Sequence, residues 1–321
     1  MGEATLVGDV GGTNVRFAFA QKTAQGTIEL HHSARLAVRD YSHFNDAVGQ
    51  YLKDVGVTPR RAAFAFAGPK FDDKIEMTNA DWIVSERELI STFGFDEAVL
   101  LNDFVAMANG ATVVPDDGFK ILVEGKVNYN KPVVVLGPGT GLGQAVILPG
   151  GPGNQRLRIV PTEGGHTAFA PQNALEDEVL LYWRAKTEFV SAEQLISGPG
   201  LHRIYEALCS IRDEPVVCTQ PDEIIAAGQA NPQSVARLTI RTFCDMLGTF
   251  AGNSTVTTGA WGGVVLAGGV SRHIAPFIET SDFRKRFQSR GPGSPFMDGV
   301  PVRLIMAHFV PLYGAAAMVL D

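Results

Sequence analysis

The sequence predicts an α/β protein in two domains, and three observations carry that prediction. Short β-branched and apolar runs alternate with segments whose apolar residues fall at helical spacing. A layout of strand, glycine-threonine turn and strand occurs twice, at residues 5–20 and 133–148. Between the two lies a Pro/Gly/Asp-rich link, Val113 to Gly118, with the composition of a domain boundary. The length of 321 residues suits two domains of about 100 to 200 residues.

Taken in order, Thr5 to Gly8, Val15 to Ala20 and Ile28 to Ala37 read as strands. Phe44, Ala47, Val48, Tyr51 and Leu52 form an apolar helical stripe behind Ser42 as candidate cap. Ala62 to Ala67 is a buried-strand run ended by Gly68-Pro69. Ser85 and Glu88 have capping-box spacing for a short helix. Ala98 to Leu101 is a further strand that delivers Asn102 and Asp103 at its carboxyl end. Beyond the link, Val133 to Leu136 and Ala145 to Leu148 flank a glycine loop, Gly137 to Gly143. Helices are predicted over 174–187, 191–196, 201–211 and 233–247, strands over 264–267 and 302–306, and a closing helix over 314–320.

Composition excludes several classes. With 27 basic against 34 acidic side chains the net charge is −7, which argues against nonspecific nucleic-acid or membrane-surface binding. Cys209, Cys218 and Cys244 are odd in number and lack CxxC spacing, so they read as apolar fillers in a reducing compartment. The first residues lack the positive segment of a secretory signal, and glycines and prolines break the two long uncharged stretches, 132–155 and 246–271. A cytoplasmic protein is expected.

Four stretches carry chemistry. In Asp9-Val10-Gly11-Gly12-Thr13-Asn14 a glycine pair lets backbone N–H groups approach an anionic oxygen, Thr13 adds a hydroxyl donor, and Asp9 suits magnesium. An ordinary Gly-Gly hairpin has the same residues. The loop Gly137 to Gly143 invites a dinucleotide reading, but a strand-like run follows where that fingerprint needs a helix. A Walker A lysine is also missing, so a second phosphate-cradling hairpin or a structural turn remains. Asn102-Asp103 suits orienting and deprotonating a hydroxyl, although Asn-Asp is also common turn chemistry. Glu163-Gly164-Gly165-His166 has the spacing of di-iron helix ligands without the helix or a second pair. It fits a polyhydroxylated ligand better, or a plain surface loop. Glu193 reads equally as a ligand to hydroxyls or as a charge in a capped helical turn.

As an ordered set, these stretches resemble the bacterial glucokinase family, within the superfamily of sugar kinases, actin and heat-shock ATPases. Segments Met77 to Trp82, Val190 to Glu193, Ser197 to Leu201 and Ala267 to Val270 add to the resemblance, which runs almost end to end. It implies an actin-like ATPase (ribonuclease H-like) fold with a central cleft. The smaller domain would be residues 1–112 with 307–321, and the larger 113–306. It further implies ATP-dependent phosphorylation of glucose at the 6-hydroxyl, with Asp103 as general base and Asn102, Glu163, His166 and Glu193 holding other hydroxyls. Asp9, Gly11, Gly12 and Thr13 would meet phosphate and magnesium, with Asp9 the metal ligand. Gly139, Thr140 and Gly141 would meet the other phosphates, and Gly268 and Gly269 the adenosine.

A homodimer in glycolysis is part of the same implication. A broader hexose kinase, or a non-catalytic sugar sensor or ATPase on the same fold, is the alternative. A sensor needs a DNA-binding module for which the first strand, near residue 4, is expected to leave no room. The related repressor/kinase family carries a Cys-rich zinc motif, and this chain has no Cys before 209. One departure from the family stands out. Ser254 to Thr258 replaces a helix-friendly continuation of Gly252-Asn253, and its β-branched residues predict a weakened helix beside the adenosine contact.

Overall fold

The computed structural model describes residues 4–68, 70–77, 82–151 and 156–320. The family-like segment Met77 to Trp82 therefore lies mostly outside the described residues. The chain forms two compact units, Met1–Gly118 with Ala307–Asp321, and Phe119–Met306.

In the first unit β1 (Thr5–Val10), β2 (Asn14–Lys22) and β3 (Ile28–Ala37) form an antiparallel meander. Next come α1 (Phe44–Val55), β4 (Arg61–Phe66), a small sheet of β5 (Lys70–Phe71), β6 (Lys74–Glu76) and β7 (Ile83–Ser85), and α2 (Glu86–Phe93). The run closes with β8 (Glu97–Asn102) and α3 (Asp103–Val113). The main sheet has the order β3-β2-β1-β4-β8, with β1, β4 and β8 parallel. On one face Phe17 and Phe64 of the sheet pack against Phe44 and Tyr51 of α1. The cap of α1 is His43 rather than Ser42, because the Asp46 carboxylate accepts the His43 N–H at 3.0 Å.

The second unit contains β9 (Phe119–Val123), β10 (Val133–Pro138), β11 (Leu142–Leu148), β12 (Arg158–Thr162), β13 (Gly263–Leu266) and β14 (Val302–Ile305). They form one sheet of order β12-β11-β10-β13-β14-β9. Its helices are α4 (Ala174–Arg184), α5 (Ala192–Leu195), α6 (Gly198–Arg212), α7 (Pro221–Ala230), α8 (Val235–Thr258), α9 (Gly269–His273), α10 (Ala275–Ile278) and α11 (Phe283–Gln288). Contrary to the weakening expected from Ser254 to Thr258, α8 runs unbroken through that segment. The hydroxyls of Thr255, Thr257 and Thr258 donate to the carbonyls of Ala251, Asn253 and Ser254, four residues back. Thr255 is fully buried, and packing outweighs the modest propensity of β-branched residues.

The last helix, α12 (Val310–Val319), belongs to the first unit. Its Leu312, Ala315, Ala316 and Val319 cover the small residues Val7, Ala18, Ala63 and Ala65 on the sheet face opposite α1. It crosses α3 at backbone contact. A Cβ on Gly314 would lie 1.8 Å from the Ala106 carbonyl oxygen, and one on Gly110 2.2 Å from that of Val310. Only glycine fits either position, and the crossing fixes the helix whose first residue is Asp103.

Candidate functional site

The candidate residues fall into two sets, one on each unit. In the first unit the parallel register aligns Val10 with Phe66 and Phe66 with Asn102. The turn after β1 and the segment after β8 therefore leave the sheet at the same end. In that turn the Gly11 N–H donates to the Asn14 carbonyl at 3.0 Å, and Gly12 and Thr13 stand at the tip. Asp9 is half-buried, paired across the hairpin with Arg16 at 3.5 Å. Burial pushes its carboxyl pKa up, and the Arg16 guanidinium partly opposes the shift.

At the end of β8, Asn102 caps α3. Its Oδ1 accepts the N–H groups of Phe104 and Val105, at 2.9 and 3.2 Å, and its Nδ2 donates to the Gly68 carbonyl at 3.2 Å. By count, one amide hydrogen has no acceptor among the described residues. Asp103 is half-buried in the first turn of α3, where the helix dipole favours negative charge. Asn-Asp is thus a strand-to-helix junction rather than a free turn.

In the second unit β10 and β11 extend into the glycine loop and leave Gly139, Thr140 and Gly141 as the turn, closed by the Gly139 N–H to the Gly141 carbonyl at 2.8 Å. The Gly139 carbonyl accepts the N–H of Gly198 at 2.7 Å, tying the turn to the start of α6. Gly268 has φ +87°, and a Cβ there would lie 2.5 Å from the Pro138 carbonyl oxygen. Gly268 is thereby held against the same hairpin, and Gly269 follows it as the first residue of α9.

Glu163, His166 and Glu193 come together. Nε2 of His166 lies 3.6 Å from Glu163 and Nδ1 lies 4.0 Å from Glu193. Glu163 is 89% exposed, Glu193 only 32%. The other oxygen of Glu193 accepts the Leu142 N–H at 2.8 Å, and a Cβ on Gly141 would meet that oxygen at 2.5 Å. The Gly164-Gly165 pair also serves the protein itself, since side chains there would strike Gln144 and the Leu142 carbonyl. Sequence reasoning missed two supporting groups. Gln144 is buried and its Oε1 accepts the Ser254 hydroxyl at 2.9 Å. Arg16 stands beside Asp9 in a motif read for its glycines. A polar residue in the apolar run 144–148 was the available signal for Gln144.

The two sets provide oxygen acceptors and an imidazole suited to sugar hydroxyls, two glycine turns suited to phosphates, and a carboxylate at a helix start. No helix among the described residues is long and apolar enough to cross a membrane.

The chain is similar to known proteins in sequence and in fold. A family model described as Glucokinase matches residues 6–321. The chain is 36% identical to a glucokinase of Saccharophagus degradans over 313 residues, 97% of each chain. It is 38% identical to a glucokinase of Neisseria meningitidis, over 98% of this chain and 94% of that one. Among solved structures it resembles the glucokinase of an Antarctic psychrotroph with a TM-score of 0.90, at 30% identity over 99% of both chains.

Proposed function

The chain belongs to the glucokinase family, and from that premise we propose that it transfers the γ-phosphoryl group of ATP to the 6-hydroxyl of D-glucose, with Asp103 as general base. Glucose phosphorylation by a kinase with the actin-like ATPase fold is common ground with its relatives. The assignment of residues is our reading. The observation that carries it is Glu193, whose carboxylate faces the His166 imidazole on one side and holds the second glycine turn on the other.

In this reading Glu163, His166, Glu193 and the spare amide hydrogen of Asn102 pair the sugar hydroxyls. Asp103 accepts the 6-hydroxyl proton as the oxygen attacks phosphorus. The turns at Gly11, Gly12 and Thr13 and at Gly139, Thr140 and Gly141, closed by the N–H groups of Gly11 and Gly139, offer the remaining backbone donors to phosphate oxygens, and Gly268 and Gly269 lie along the adenosine. Phosphoryl transfer needs alignment and charge neutralisation more than a strong nucleophile, so preorganised loops suffice. In this reading the two domains are the units Met1–Gly118 with Ala307–Asp321 and Phe119–Met306, and keeping water from the reactants protects the transferring phosphoryl group from hydrolysis.

Magnesium fits the donor set. Asp9 offers a hard carboxylate oxygen near the end of β1, beside the first glycine turn. One carboxylate suits magnesium, because the ion keeps water and substrate phosphates as most of its ligands. When bound, the ion neutralises negative charge on the triphosphate, and Asp9 is the residue to hold it.

A coupled assay tests the proposal: ADP release should require glucose, ATP and magnesium together. Sugar-independent ATP hydrolysis would overturn it, and kcat/KM across glucose, mannose, fructose and N-acetylglucosamine separates a glucokinase from a broader hexose kinase. A cytoplasmic homodimer belongs to the same reading, and light scattering checks the assembly.

A further inference from the structure

The second unit holds a cavity of about 560 Å³ that the reaction above does not use. It lies between α8, the 163–170 segment and the 3-10 turn Gly291–Met297, and its walls are mainly apolar, among them Phe169, Met246, Phe250 and Phe296. Gly164 and Thr167 line it too, so it backs onto the loop that carries His166. Among its described lining residues one is charged, Arg290.

Arg290 sits in a built seat. Its Nη2 lies where a Cβ on Gly252 would come within 2.1 Å, so a glycine in the middle of α8 admits the guanidinium. Glycine weakens a helix interior, and the position makes sense through what it accommodates. Nε donates to the Phe287 carbonyl at 3.2 Å, Nη2 to those of Thr249 and Arg286, and Nη1 to Asn253 Oδ1 at 3.0 Å. Every one of these acceptors is neutral. Among the described residues Arg290 has no ion-pair partner, and the nearby Arg286 is bound to Glu176. Burial and the Arg286 charge both press its pKa below the usual guanidinium value, as expected of a cation without a counter-ion. By count, one Nη1 hydrogen remains, and the Nδ2 of Asn253 has no protein acceptor among the described residues.

We propose that this cavity binds a small organic anion with an apolar body, its oxyanion head received by Arg290 and Asn253 and its body lying against Phe169, Phe250 and Phe296. The volume falls within the range of about 300 to 1,000 Å³ usual for small-molecule sites. A carboxylate head matches the planar guanidinium and the amide donors, whereas a neutral head leaves the charge unmet.

The test titrates 2-naphthoate and its neutral isostere 2-naphthamide into the full chain by calorimetry. In the unaltered protein the acid should bind saturably at one site, about 10-fold or more tighter than the amide, as expected for a charge-assisted hydrogen bond. Arg290→Met should erase that preference. Because removing Arg290 also unties α11 from α8, a second variant leaves it in place: Ala170→Trp, at the exposed rim, should block the cavity and abolish binding of both probes. Equal affinities for acid and amide, no saturable binding at millimolar concentration, or unchanged binding in Ala170→Trp would overturn the proposal.

Discussion

Glu193 accepts the Leu142 N–H at 2.8 Å through one carboxylate oxygen and faces the His166 imidazole, 4.0 Å away, with the other. One side chain therefore joins the glycine turn to the Glu163–His166 loop. Glu193→Gln keeps an acceptor for Leu142 but loses the charge beside the imidazole, so the KM for glucose should rise by about 10-fold while that for ATP stays near its original value. Glu193→Ala should raise both. Steady-state kinetics with each substrate varied separates the two, and identical effects of the two variants would count against the double role.

Asp103→Asn preserves size and position at the start of α3 but removes the carboxylate proposed to accept the proton. We expect kcat to fall by about 10²- to 10⁴-fold, with glucose affinity and melting temperature little changed. Calorimetry with glucose and a thermal melt accompany the rate measurement. A variant with near-normal turnover would refute the assignment.

Gly314→Ala tests the helix crossing behind Asp103. The added methyl would sit 1.8 Å from the Ala106 carbonyl and 2.6 Å from the Gly110 nitrogen, both backbone atoms. Neither can swing aside as a flexible side chain would. The expected loss is about 1–3 kcal/mol or more, read by chemical denaturation. An unchanged unfolding midpoint would mean that the helices separate freely.

Asp245 predicts a pH dependence. Burial raises its carboxyl pKa to about 6, although the Asp282 N–H at 2.8 Å and nearby arginines pull it the other way. The folded protein thus favours the protonated acid. Its contribution to stability is full below about pH 4, near the unfolded pKa, and is lost as pH rises through 6. Asp245→Asn keeps an acceptor for Asp282 without the charge. It should add on the order of 1 kcal/mol at pH 7.5, after allowance for partial exposure, and flatten the fall in melting temperature between about pH 4 and 6. Parallel melting curves for the two proteins would contradict this.

Much of the site was legible because it is local in sequence. Both glycine turns are flanked by their own strands, and Asn102-Asp103 stands where a strand ends and a helix begins. Local signals misled where distant partners decide. The threonines after Asn253 read as helix-weakening, yet their hydroxyls return to the helix and Ser254 reaches Gln144, 110 residues away. Glu88 has capping-box spacing with Ser85, but its side chain instead accepts from Asn45. Strands β9 and β12 lie at the sheet edges, where alternation is weak, and α9 to α11 are too short to show a period. The pairing of Gly252 with Arg290 joins residues 38 positions apart, and neither carries a local sign of the other.

The position of α12 has a consequence for synthesis. The helix that covers Val7, Ala18, Ala63 and Ala65 begins at Val310, after the whole of the second unit has been translated. At about 5–20 residues per second, the newly made N-terminal sheet waits roughly 10–40 s for its missing layer. During that interval its alanine-rich face is open to water and to chaperones, while Phe119–Met306 has all the strands and helices of its own core. Order of emergence from the ribosome and order of completion are therefore reversed: the unit that appears first is finished last.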